Sequence, residues 1–162
     1  MSDRLTALVS ATDWLWALRR FTLLATAGNL IWEVLQLPLY SLWYSADPGE
    51  IAYAVMHCTI GDVLLAVLSL AGALALVGTR EWPARWFGRV GAMTILLGLV
   101  FTAYSEWVNV YVRESWAYSA WMPIVPGLGV GLSPLLQWFV VPAFAMWRLR
   151  VLLGRTQLWR GP

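Results

Sequence analysis

The sequence contains no lysine, a single histidine (His57) and a single cysteine (Cys58). One Cys excludes an internal disulfide framework, and with it the small secreted modules that depend on one. Charged residues make up only 12% of the chain, about half the share of an average soluble domain. A soluble domain of 162 residues has too little interior to hide a composition that is 60% hydrophobic. The same composition excludes a disordered chain. A net charge of +2 with no basic face gives no footing for nucleic acid as a partner. The mean hydropathy of +0.65 points to the lipid bilayer.

What the chain does contain is long apolar runs. Four of them, over residues 21–44, 51–78, 87–111 and 123–152, each exceed the ~20 residues that cross a bilayer as a helix. They lack the period-2 alternation of barrel strands. The connections between them are short, with a turn signal at Asp47-Pro48-Gly49 and Pro83 in the second loop. Short loops make consecutive helices antiparallel neighbours. The expected fold is therefore all-α: one membrane domain, 1–162, built as a four-transmembrane up-down helical bundle. Residues 1–20 carry Asp3 and Asp13 and no cleavage pattern, so they do not read as a signal peptide. Leu5, Leu8, Val9, Leu15 and Leu18 can share one face, with Trp14 and Trp16 near the headgroups. This predicts an interfacial amphipathic helix over 1–20.

All eleven basic residues are Arg, and ten of them fall on one side of this topology. Arg4, Arg19 and Arg20 precede the first run, and Arg80, Arg85 and Arg89 flank the second loop. Arg148, Arg150, Arg155 and Arg160 lie at the C-terminal end, leaving only Arg113 on the other side. The positive-inside rule predicts an inner-membrane protein with both termini in the cytoplasm. The twelve Trp residues suit interfacial belts.

Polar groups inside the apolar runs carry the functional signal. Asn29, Glu33 and Gln36 are spaced to share one helix face. The second run holds His57 and Asp62, the third Thr102, Glu106 and Asn109, and the fourth Ser133 and Gln137. A carboxylate at the bilayer centre costs at least ~2.5 kcal/mol, so three of them need a shared reason. Counted from the non-Arg ends, Glu33, Asp62, His57 and Glu106 lie at depths of about 16, 16, 9 and 8 Å. The other half of the second run, from Val63 to Gly78, is nearly pure Ala, Leu, Val and Gly. That segregation predicts a polar cavity opening towards the periplasm. His57 and Asp62 are about 140° apart on a helical wheel and flank rather than share a line, with Gly61 between them. The fourth run begins with three Pro and three Gly by Pro134, which predicts an irregular or re-entrant start.

Carboxyls in such a place suit proton transfer. The expected catalytic residues are Glu33, Asp62, Glu106 and His57. Asn29, Trp32, Gln36, Trp107, Asn109 and Gln137 are expected to bind and orient a lipophilic substrate. Isomerisation, cyclisation or hydration of an isoprenoid-, sterol- or lipid-like molecule fits, with no cofactor expected. Three carboxylates and one His also suit a divalent metal held by His57, Glu33, Asp62 and Glu106. The Glu-x-x-His repeat of di-iron bundles is absent, and one His permits only single-His haem ligation.

The segment Asn29-Leu-Ile-Trp32-Glu33 resembles the N-x-x-W-E motif of integral-membrane terpene cyclases. That resemblance implies that Glu33 is an acid that protonates an alkene or epoxide, and it carries over Asn29, Trp32 and Glu33 alone. The run from Asn29 to Tyr40, Ser105-Glu106-Trp107 and the segment Gly131 to Trp138 resemble an uncharacterised group of small bacterial four-helix membrane proteins. This second likeness implies a fold and no activity.

Two other readings compete. A small transporter or proton-coupled carrier needs a continuous polar path, which the apolar half interrupts unless a homo-oligomer builds it between subunits. An accessory or pigment-binding subunit of a membrane complex would use the aromatic residues, many of which the interfacial belts already explain.

Overall fold

The computed structural model describes residues 11–159, with side chains described from 14 to 154. The amphipathic pattern over Leu5, Leu8 and Val9 lies outside the described residues, as do Arg4 and Arg160. Helix α1 runs Ala11–Gln36 and is followed by a 3-10 turn, Leu37–Leu39, and the one-turn helix α2, Leu42–Ser45. Helices α3 (Pro48–Val77), α4 (Phe87–Trp107) and α5 (Leu132–Trp159) follow, and a π turn, Val108–Val112, prolongs α4. Among the described residues there is no strand, only two isolated β-bridges.

Two boundaries differ from the sequence expectation. The first helix is continuous from Ala11 through residue 20, so no break separates an interfacial helix from a span at that point. It stops at Gln36 rather than Tyr44, because Pro38 has no N–H to continue the ladder and biases Leu37 away from helix. The last helix starts at Leu132 rather than residue 123. Residues 123–131 instead form a tight turn, in which Ile124 bridges Gly131 and Val125 N–H donates to Val130 at 2.9 Å. Gly127 and Gly129 take φ of +82° and +70° there, a region costly for residues with a side chain.

Helix α3 begins sharply. Asp47 Oδ1 accepts from Gly49 N–H at 2.7 Å and Glu50 N–H at 3.0 Å, and Glu50 reaches back to Asp47 N–H at 3.2 Å. The Asp-Pro-Gly turn signal is thus a capping box with Pro48 at the first helical position. Asp47→Ala should cost about 1 kcal/mol of stability, read as a lowered midpoint of thermal unfolding in detergent. An unchanged midpoint would show that the cap carries no stability.

Three helices are long and apolar enough to cross a membrane: α3, α4 with its π turn, and the Leu132–Gly154 part of α5. Helix α1 has 26 residues, about 39 Å, but carries Arg19, Arg20, Glu33 and two buried amides. Length and composition alone therefore give three crossings rather than four. The long helices close a ring: α1 packs on α3 and α5, and α4 packs on the same two.

Small residues fill that ring. Ala17, Ala25, Ala66, Ala73 and Ala145 are buried, while Leu23, Leu35, Leu64, Leu68 and Leu76 face outward. This inverts the arrangement of a soluble bundle and matches helices that approach closely within an apolar solvent. The tightest approach is Gly98 of α4 against the ring of Trp138 on α5, where an added Cβ would overlap the indole. Gly98→Ala should displace Trp138 and cost about 1–3 kcal/mol, measured by thermal unfolding alongside tryptophan emission. Unchanged stability and emission would contradict that contact.

The end of the bundle opposite Tyr40 is closed by Trp82, which is fully buried with its centroid 5.0 Å from that of Trp14. Around this end Arg20 lies over Trp16, Arg89 over Trp86 and Arg148 over Trp147, at 5.7, 3.8 and 5.7 Å.

Candidate functional site

Each inward helix stripe changes character along its length. On α1 it reads Ala17, Phe21, Ala25, then Asn29, Glu33 and Gln36, all buried. On α4 it reads Val90, Gly91, Thr94 and Gly98, then Thr102 and Glu106. On α5 Leu149, Ala145 and Val141 lead to Gln137. The spacing of three or four puts each set on one face. Antiparallel neighbours then bring all the polar ends to the same level.

Gln137 is the centre of this level, with only 2% of its surface exposed. Its amide nitrogen lies 2.8 Å from Asp62 Oδ2, 3.1 Å from Glu33 Oε1 and 3.2 Å from Asn29 Oδ1. Two N–H hydrogens therefore serve three acceptors on two other helices. Gln36 donates to Glu33 Oε1 at 2.8 Å and to Gln137 Oε1 at 3.2 Å. Ser133 donates to Gln36 at 2.9 Å, and the Trp32 indole donates to Ser133 at 3.2 Å. The Glu33 and Asp62 carboxyls thus converge on one amide nitrogen, and Trp138 follows Gln137 on α5. Two acids from different helices held by one amide form a carboxyl dyad.

Glu106 stands apart from the dyad in its own setting. Tyr118 donates to Glu106 Oε2 at 2.5 Å and accepts from Gly131 N–H at 2.9 Å. Tyr118 belongs to the loop between α4 and α5, which pairs with the loop after α1 through the Tyr40–Tyr118 bridge. Ser41 N–H donates to Ala117 at 2.9 Å and Ser119 N–H to Leu39 at 2.9 Å, so the two loops lie together above the dyad. Burial, and the hydrogen bond to Glu106, push the Tyr118 phenol well above its ordinary range. It stays protonated and acts as a fixed donor to Glu106.

One cavity of about 1930 Å³ joins these groups. Glu33, Asp62, Glu106, Gln36, Asn109 and Gln137 line it at one level, and Leu64, Leu68, Leu97, Val100 and Phe101 extend it along the α3–α4 cleft. Leu64, Leu68, Val100 and Phe101 are exposed, and Leu97 packs against the core. An added Cβ on Gly61 would meet nothing within 4 Å, so this glycine keeps the cleft wall open.

The structure thus brings Glu33 and Asp62 together and sets Glu106 on the same cavity wall. His57 is exposed and stacks on Tyr53 with centroids 5.7 Å apart; it lines the cavity away from the dyad. Asn109 lies in the π turn and donates to the Ser105 carbonyl at 2.9 Å. Asn29 and Trp32 support the dyad from behind, outside the cavity lining, and Trp107 is exposed outside it. Among the described residues no three His, Cys, Asp or Glu side chains converge on a point that could hold a metal ion. The set His57, Glu33, Asp62 and Glu106 is not assembled as ligands.

Sequence reasoning missed Trp138 and the direct Tyr118–Glu106 bond. Trp138 carried no signal beyond its place one residue after Gln137. Tyr118 could not be paired with Glu106 without the path of the loop. No family model, curated protein or solved structure matches this chain, so its function rests on the site itself.

Proposed function

We propose that this chain is an integral membrane enzyme that moves protons on a lipophilic substrate taken in through the α3–α4 cleft. The observation that carries the reading is the Glu33–Asp62 dyad, held by Gln137 at the polar end of a cavity whose other walls are apolar. The dyad proton adds to a carbon–carbon double bond, and a carboxylate removes a proton from the neighbouring carbon. The balance is isomerisation or cyclisation, with no cofactor consumed; capture of the cation by water gives hydration instead. The resemblance of Asn29-Leu-Ile-Trp32-Glu33 to the terpene-cyclase motif supports Glu33 as the donor. Asp62 completes the pair, while Glu106 with Tyr118 supplies a third carboxyl beside the developing cation. His57 has no place in this step.

The same reading takes α1 as a fourth crossing, because Leu23, Ile31, Val34 and Leu35 turn apolar side chains outward along it. The Arg–Trp pairs at one end suit the cytoplasmic face of the inner membrane, and the loops of Tyr40 and Tyr118 then face the periplasm. A carrier fits less well. The interior beyond Asn29 and Asp62 is Ala25, Phe21, Ala66, Leu70 and Trp82, with the hydroxyls of Ser69 and Thr94 as the buried polar groups among the described residues there, and this favours a closed pocket over a path in one subunit.

The test is an untargeted mass-spectrometric survey of bacterial lipid extracts incubated with the purified protein. One component should be consumed and replaced by a product of equal mass, or of that mass plus water. A lipid profile identical to that with heat-denatured protein would overturn the reading.

A further inference from the structure

Thr102 departs from three other helical threonines. Thr22, Thr26 and Thr94 each donate their hydroxyl to the carbonyl four residues earlier, at 2.8–2.9 Å. Thr102, with only 6% of its surface exposed, leaves Oγ1 without a hydrogen-bond partner. It lies one turn before Glu106 on the same face of α4 and lines the cavity. The indole Nε1 of Trp116 is a second buried polar atom on the cavity wall. It faces the Glu106 carboxyl without completing a hydrogen bond to it. Thr59 Oγ1 and Trp82 Nε1 are also unpartnered, but neither residue lines the cavity.

A buried polar atom without a partner costs about 1–3 kcal/mol, so two on one wall beside a carboxyl need a partner that arrives from outside. An indole N–H only donates, so what arrives must accept. A threonine hydroxyl tolerates either role. The nearest ionisable group is a carboxyl, and the two carboxyls of the dyad line the same cavity; Arg113 also lines it, but with Asp47, Glu50 and Glu114 on the lining as well the acids outnumber it, which disfavours an anionic group.

We infer that Thr102 Oγ1 and Trp116 Nε1 form a subsite for one neutral oxygen, a hydroxyl or carbonyl, on an otherwise apolar ligand. The oxygen sits at the Glu106 wall, and the hydrocarbon lies along the α3–α4 cleft past Leu97 and Val100. The inference rests on the reading that the cavity takes a lipophilic molecule, and it deepens that reading by fixing the ligand's polar function. It does not depend on whether the dyad performs chemistry.

The experiment compares equilibrium binding of farnesol, farnesene and farnesoic acid to the full-length protein in detergent, by native mass spectrometry. These probes share a skeleton and differ in the terminal group. Farnesol should bind about tenfold more tightly than farnesene, as expected for one hydrogen bond made to an otherwise unpaired donor. Trp116→Phe and Thr102→Val should each remove most of that preference while leaving farnesene binding unchanged, which also reports that the variants are folded. Equal binding of farnesol and farnesene, a preference that survives both substitutions, or tightest binding of farnesoic acid would overturn the subsite. Binding of none of the three would overturn the lipophilic-ligand reading along with it.

Discussion

Replacing Glu33 by Gln should lower turnover about 10²–10⁴-fold, the share that a positioned proton donor contributes. The fold should survive. Gln36 and Gln137 now donate to Glu33 Oε1 at 2.8 and 3.1 Å, and the carboxamide oxygen of the variant can accept both bonds. Its N–H can donate to Asp62. What disappears is the transferable proton alone. Asp62→Asn should act with similar size, because it removes the transferable proton from the same pair. The double variant should be little worse than either single one, since groups that act as a unit lose their effect together. Full turnover in Glu33→Gln, with the substrate found by the lipid survey, would remove Glu33 from the mechanism.

The second large effect is on stability. Gln137→Leu conserves volume and deletes the amide that ties α5 to α1 and α3. Asn29, Glu33, Gln36 and Asp62 each lose a partner at once. Several buried polar groups stripped of a bond at roughly 1–3 kcal/mol each give an expected loss of about 3–5 kcal/mol, allowing for partial rearrangement. The measurement is denaturant unfolding of the detergent-solubilised protein. Asn29 and Gln36 lie on one helix, so α1 should detach first, seen as faster proteolysis in the connection to α3. A change below about 0.5 kcal/mol, the size of an ordinary surface substitution, would mean that the network does not order the bundle.

The helical, membrane-type character was legible because it lies in the sum of many residues: scarce charge and long apolar runs. The face shared by Asn29, Glu33 and Gln36 was legible because helix spacing is fixed, and the structure keeps all three buried on one side of α1. The wheel angle between His57 and Asp62 also held its meaning: the histidine stacks on Tyr53 and the acid turns inward to Gln137. Helix ends were less legible. Pro38 ends α1 early, and the Pro-Gly segment before Leu132 folds as a turn, yet each residue also occurs inside membrane helices, as Pro142 does in α5. Because α1 stops at Gln36, Glu33 lies within one turn of its helix end, and the loops carrying Tyr40 and Tyr118 cover the site. Depth counted from the end of an apolar run could not show that. The partner of Glu106 was hidden for the same reason: a tyrosine in a loop has no spacing rule that points to its acceptor.

The proposed chemistry requires the dyad to face a lipophilic molecule held in the cavity. A high-resolution density map of the protein purified in lipid nanodiscs tests it directly. Elongated density should run from the Leu64–Phe101 cleft to within hydrogen-bond distance of Glu33 or Asp62, with an oxygen near Thr102 and Trp116. A chain of ordered waters crossing from the dyad past Ala25 and Ala66 to the Arg end would contradict it and identify a proton path instead.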